Sequence, residues 1–520
     1  MVKQLSYQLF ELIKRLTKAE KRNFKLYVKR NTTDKELISI RLFDVIDKLP
    51  HWNDEKIQEA FPKLKANTLS NHKARLYEQV LVSLRLLQSD DPRIRIKDHI
   101  SYAELLHKKG LYVQSLAQLA KAKQIASTFK MDILRLEIVE FEKKIEGRYV
   151  TRSHSQRADE LTDESSLLRS RFYFEGAWSD LSLKLYDYYL KFGHSKSKEQ
   201  QKKLSAMFKE SLPVSTNTAF EDTIYKYQCY VWYYYISQDF VRCYAYAQKW
   251  CQVYEKNEVL LESEPEMYIR GLHNVLAALF YCDDVNRFIE NHKKLKDFTS
   301  KHQHRFNENQ VIQSFIYLET ANLNSYIIEG RFTEGARYSD EFIKKMKAFE
   351  GRLDIHRIMV FHYKIASLKF GSADFSGAIK HLNIIINHPS IALKEDIQCF
   401  ARILNLISHY ELGNDDLIDF QIKSTYRFLL KLSDYQRVHS AIFNFLKNSV
   451  FMDRKKLETD FRLLREELLE ILKDKYERRS LLYLDLISWL ESKISGRPVE
   501  QIIRDKKLAK MAKKGLQGNK

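Results

Sequence analysis

The chain has 520 residues, of which 44% are hydrophobic and 30% charged, with a formal net charge of +19. That balance excludes disorder, which needs low hydrophobicity, and the length exceeds what one core requires, so several domains or a repeat array are expected. With only 14 Gly and 7 Pro, the chain cannot supply the turns that a strand-rich fold needs about every 10 residues, and an all-α fold follows.

Apolar spacing predicts a first helix over roughly Lys3–Leu16, with Leu5, Leu9, Leu12, Ile13 and Leu16 on one face. Thr17 and Glu20 have capping-box spacing and open a second helix, with Phe24, Tyr27 and Val28 as its apolar side. Asp34 starts a third helix that ends before Pro50, and Asp54 a fourth that ends before Pro62. A fifth runs from about Thr68 to Leu87, and Asp91-Pro92 opens the next. Residues 1–90 form an N-terminal helical cap domain on this reading. Within it, Asp54 to Arg85 has the outline of a helix-turn-helix, although two packed cap helices give the same outline.

Beyond residue 91 a pattern recurs: a helix, a tight turn, an aromatic or apolar residue, then a small residue three positions later, a place that Phe288 and Phe420 take in two of the units. Six segments overlay. Gly110-Leu111-Tyr112 precedes Ser115, Leu119 and Ala122; Asp239-Phe240 precedes Cys243, Ala247 and Trp250; Asp284-Val285 precedes Phe288, His292 and Leu295. Gly330-Arg331-Phe332 precedes Gly335, Ser339 and Phe342; Asp374-Phe375 precedes Ala378, Leu382 and Ile385; Gly413-Asn414 with Leu417 precedes Phe420, Ser424 and Arg427. These segments resemble the turn and second helix of the tetratricopeptide repeat (TPR). The resemblance implies a TPR-like α-solenoid over 91–432, followed by C-terminal capping helices over 433–497 and a basic tail over 498–520. The last five units are 42 to 47 residues apart, longer than the usual period of about 34. The gap from Ser115 to Cys243 has room for two further degenerate units, and Phe172–Phe192 is expected to be a helix of one. The long amphipathic segment Asp453–Tyr476 and the apolar Leu481–Ile494 close the array, before Gly496-Arg497-Pro498 breaks the chain.

Charge is concentrated at the ends: residues 1–100 carry +8 and residues 497–520 carry +6. Such ends can meet nucleic acid or another anionic surface, with Lys63, Lys65, Lys73, Arg75, Lys506, Lys507, Lys510, Lys513 and Lys514 as candidate contacts. The five Cys form no C-x-x-C, so reduced thiols in a cytoplasmic protein are expected rather than disulfides or zinc. The N-terminus lacks the apolar core of a signal peptide, and no stretch reaches the roughly 20 apolar residues of a membrane helix.

No Gly-rich phosphate loop, HExxH or GxSxG is present. The His302/His304 pair is spaced so that its members do not share a helix face. No cofactor, metal, small-molecule substrate or catalytic residue is expected. The aromatic run from Tyr225 to Tyr235 stands out. In the TPR register, Tyr225, Gln228, Trp232 and Tyr235 point into the concave groove, as do Tyr317, Asn324 and Tyr363 from later units. Tyr and Trp are favoured binding anchors. The expected function is therefore a non-catalytic scaffold or adaptor for a protein partner, with a nucleic-acid- or ribosome-associated role for the basic ends as the alternative.

Overall fold

The computed structural model describes residues 2–30, 37–148, 156–213, 220–388, 395–431, 437–449, 454–474, 476–478 and 485–517. These form twenty-five α-helices and, among the described residues, no strand. The all-α expectation is met. Asp34 lies outside the described residues, and so do parts of Asp453–Tyr476 and Leu481–Ile494. The chain divides into two compact units, 1–170 and 171–520.

In the first unit, α1 (Val2–Arg15), α2 (Lys18–Arg30), α3 (Leu37–Lys48), α4 (Asp54–Ala60) and α5 (Ala66–Leu87) enclose a core that includes Leu9, Ile13, Phe24, Phe43, Leu76 and Val80. The capping box forms: Thr17 N–H donates to Glu20 Oε2 at 2.7 Å, and Glu20 N–H to Thr17 Oγ1 at 3.2 Å. At α4 the cap is Asn53, one residue before the expected Asp54; its side chain accepts from the Lys56 N–H. Next come α6 (Pro92–Lys108), α7 (Tyr112–Thr128) and α8 (Asp132–Glu146). Ser115 lets α6 and α7 approach closely, and its hydroxyl donates to the Ala103 carbonyl at 2.7 Å. The helix α9 (Arg157–Phe192) contains the expected Phe172–Phe192 but starts fifteen residues earlier. Its first part is tied to the first unit by ion pairs. Buried Glu142 receives Lys123 and Arg157, and Glu164 receives Lys123 and Arg135.

The second unit contains the rest of α9 and α10 (Lys198–Glu210), followed by α11 (Phe220–Ile236), α12 (Phe240–Glu255), the short α13 (Glu258–Ser263) and α14 (Pro265–Tyr281). Next are α15 (Val285–His302), α16 (Glu308–Glu329), α17 (Phe332–Lys347), α18 (Ile355–Gly371) and α19 (Phe375–Ile386). It ends with α20 (Glu395–Glu411), α21 (Asp415–Lys431), α22 (Arg437–Ser449), α23 (Arg454–Ile471), α24 (Leu486–Ser495) and α25 (Val499–Gln517). From α14 to α25 each helix packs against the next in sequence.

Five turns share one backbone solution. Gln238, Asp283, Gly330, Ala373 and Gly413 each have φ between 53° and 71°. The N–H of the following residue reaches back five positions, as in Asp239 to Tyr234, Asp284 to Leu279 and Asp374 to Lys369, at 2.8 to 3.1 Å. This is the left-handed helix end that reverses a chain in few residues. Asp239, Asp284 and Asp374 then cap the next helix by accepting backbone N–H groups.

In five of the six overlaid segments the residue three positions after the aromatic or apolar one is buried: Ser115, Cys243, Phe288, Gly335 and Ala378. The sixth departs from the overlay. Phe420 is 63% exposed, while Ile418, Thr425 and Leu429 are buried. Because α21 begins at Asp415, its inward stripe falls on residues that the overlay did not mark.

The tail expected over 498–520 is helical through most of its length. Helix α25 packs on α15 and α24. Its Ile503 is buried, and the backbone of Arg504 lies so close to Gly330 that a Cβ there would stand 3.2 Å from its nitrogen.

Candidate binding groove

The helices α9, α11, α14, α16 and α18 each contribute residues at i, i+3, i+4 or i+7 to one concave surface, so that each presents a single face. Two cavities open along it, of 130 and 310 Å³, and they share Tyr189, Tyr235, His273, Ala277, His356 and Arg357. They therefore form one continuous groove.

The structure brings five of the seven expected residues to this groove. Trp232 and Tyr317 line the larger cavity, Asn324 and Tyr363 the smaller, and Tyr235 both. Half-buried Trp232 leans on Tyr189 and Tyr186, with ring centroids 5.3 and 5.5 Å apart. The other two lie elsewhere. Tyr225 is half-buried in the α9–α11 core and hydrogen-bonds Ser179; burial, then Glu175 and Glu264, raise its pKa. Gln228 is buried, and its Nε2 has no hydrogen-bond partner among the described residues.

Among the groove residues that were not anticipated are Arg270 and His273 on α14, and Arg357 and Lys364 on α18. The periodic spacings 270, 273, 274, 277 and 357, 360, 361, 364 were available in the sequence, but the TPR register assigned Tyr363 to this face and left Lys364 out. The His273 imidazole stacks on Tyr317 with centroids 4.2 Å apart. Burial, helped by Arg357, Lys364 and Arg270, lowers its pKa to about 3, so it is neutral at physiological pH. Lys364 is half-buried and lines the smaller cavity, and burial lowers its pKa to about 8. Lys364 Nζ donates to Asn324 Oδ1 at 2.6 Å and lies 5.4 Å from the Phe280 ring centroid. The Arg357 guanidinium lies over Tyr317 at 5.7 Å, and its Nε is 3.9 Å from Asp354. Among the described residues that line the two cavities, none is Asp or Glu.

Four of the nine candidate anion contacts at the chain ends are engaged in ion pairs within the chain. Lys73 is 7% exposed and pairs with Asp54 at 2.6 Å. Its position in α5 is therefore structural, and it does not present its charge at the start of a recognition helix. Lys506 pairs with Glu491, and both Lys507 and Lys510 with Asp283. Lys63, Lys65 and Arg75 are exposed, and the side chains of Lys513 and Lys514 lie outside the described residues. The five cysteines are free thiols, four of them buried. No helix among the described residues is long and apolar enough to cross a membrane, and no group of three or more His, Cys, Asp or Glu is arranged to hold a metal ion among them. No model of a known protein family matches the chain, and no curated protein matches it at a significant level.

Proposed function

We propose that this chain is a non-catalytic TPR-like α-solenoid that acts as a scaffold or adaptor in the cytoplasm and grips a segment of a partner protein in its groove. The observation that carries this reading is the continuous groove itself, in which Trp232 and Tyr235 are presented with part of their rings uncovered. Large amphipathic rings fixed on rigid helices supply contact area at low entropic cost. Left-handed turns at a near-constant spacing favour the solenoid description, and five free thiols suit a reducing compartment. The alternative, nucleic-acid binding by the basic ends, loses Lys73, Lys506, Lys507 and Lys510 to carboxylates of the chain itself.

The test is affinity capture with the full chain and with Trp232→Ala, from lysate with and without nuclease. A discrete protein that survives nuclease and is lost with Trp232→Ala, at unchanged helical content, supports the scaffold reading. Material that vanishes with nuclease and ignores Trp232→Ala transfers the function to the chain ends.

A further inference from the structure

We infer that the groove takes an acidic peptide segment, with an Asp or Glu side chain of the partner entering the smaller cavity to meet Lys364. This rests on the scaffold reading and specifies its ligand.

The argument starts from an imbalance. Arg270, Arg357 and Lys364 converge on a groove whose described lining contains no carboxylate. An ammonium has three donors, and Lys364 spends one on the amide oxygen of Asn324. Arg270 and Lys364 make no salt bridge among the described residues, and Arg357 makes one weak contact at 3.9 Å. A buried cation without a counter-charge is costly to a fold. Lys364 is half-buried in the lining of the smaller cavity, where an incoming carboxylate would complete its partners.

The geometry favours a peptide over a nucleic acid. Proteins that track a phosphate backbone present an exposed row of cations. Here Arg357 lies against Tyr317 and Lys364 against Phe280, so the charge is recessed among rings. A carboxylate on a short stem can enter a 130 Å³ space; a phosphodiester flanked by sugars and bases cannot. The adjoining 310 Å³ space beside Trp232 has room for neighbouring residues of the same segment, which a lone organic acid would leave empty.

The experiment selects twelve-residue peptides from a random display library in which both peptide ends are fused, so that no terminal carboxylate is offered. The full chain is the bait. Selected peptides are then synthesised with amide ends, and their binding is read by fluorescence anisotropy. We expect enrichment of Asp and Glu. Replacing the key acid by its amide is expected to weaken binding roughly tenfold or more. Lys364→Met should weaken the acidic peptide similarly and the amide peptide little, the signature of a direct pair in a double-mutant cycle. Lys364→Met also takes the donor from the buried amide oxygen of Asn324, a cost to stability; if the variant fails to fold, Arg357→Gln at the groove wall replaces it in the cycle. Peptides that are lost with Trp232→Ala but lack acidic enrichment, or show no coupling to either cation, overturn this inference and leave the scaffold reading intact. Absence of any peptide sensitive to Trp232→Ala overturns both. Tighter binding of a twelve-nucleotide single-stranded RNA, or displacement of the peptide by free glutamate at comparable concentration, also overturns it.

Discussion

His362 in α18 and His381 in α19 face each other with their Nδ1 atoms 2.9 Å apart and their rings stacked. One ring must donate from Nδ1–H and the other must accept at an unprotonated Nδ1, so the bond is lost once the accepting ring takes up a proton there. Burial lowers both pKa values, that of His381 to about 4, with His362, Lys369 and Lys380 adding to the effect and Asp340 opposing it. As pH falls, the unfolded chain takes up protons first, near the ordinary value of about 6.5. Stability present above that value is therefore lost as pH falls towards about 4, by up to about 1.4 kcal/mol per pH unit for each histidine. The double variant His362→Leu/His381→Leu removes both partners together, a nearly neutral change at pH 7. At pH 5 its thermal midpoint is expected to exceed that of the wild type; an equal or lower midpoint would reject the pair as an acid-sensitive element.

Gly335 lies where α17 crosses α16 and α18. A Cβ there would stand 2.5 Å from Leu368 Cδ2 and 2.8 Å from Tyr326 Cβ. Gly335→Ala is therefore expected to cost about 1–3 kcal/mol through overpacking. Gly176, in α9, has nothing within 4 Å of its Cβ position, and Gly176→Ala should be neutral or stabilising by up to about 1 kcal/mol. Thermal midpoints measured side by side should move in these opposite senses.

Asp283 holds both Lys507 and Lys510, while the Glu500 carboxylate accepts from the backbone and hydroxyl of Thr333. Asp283→Asn keeps a residue that tolerates the left-handed turn but removes its charge. Amide exchange is expected to quicken across 499–510 with little change in α14 and α15, and added salt should reproduce part of this in the wild type. Unchanged exchange would show that Ile503 and its apolar neighbours hold α25 without the ion pairs.

In the first unit, Glu142 is 3% exposed and accepts from Lys123 and Arg157. Glu142→Leu should destabilise this unit by about 3 kcal/mol, the low end for breaking a buried pair, because Lys123 keeps Glu164. The double variant Lys123→Met/Glu142→Leu should recover part of the loss, as read by the difference between the two midpoints.

The sequence displayed its helices clearly because each signal was local. Thr17 and Glu20 declare a cap three residues apart, and Asp91-Pro92 opens a helix without help from tertiary contacts. Gly330 and Gly413 marked their own turns, whereas the turns at Gln238 and Ala373, which adopt the same left-handed geometry, were placed only through the Asp that follows each. The sixth segment was misaligned because Leu417 and Phe420 are apolar yet exposed. Within the groove, Trp232 and Tyr235 were legible as an excess of rings beyond what one helix face can bury. Lys364 was not, because its significance depends on Asn324, forty residues away, and on a described cavity lining without Asp or Glu. The ties of α25 to Asp283 were hidden for the same reason, with 224 and 227 residues between partners.

Those ties set an order of assembly. Helices that pack on their immediate neighbours can form as the chain is synthesised, since each contact closes a short loop. α25 has a different schedule: its seat beside Asp283 and Gly330 is in place long before Lys507 has been translated. A growing chain thus passes through a stage in which the turns of α14–α15 and α16–α17 stand uncovered, with Ile327, Ile328 and Phe332 open to water. Residues 499–507 are made after the helices they cover, so a chain without them would have its groove helices built and that apolar seat exposed.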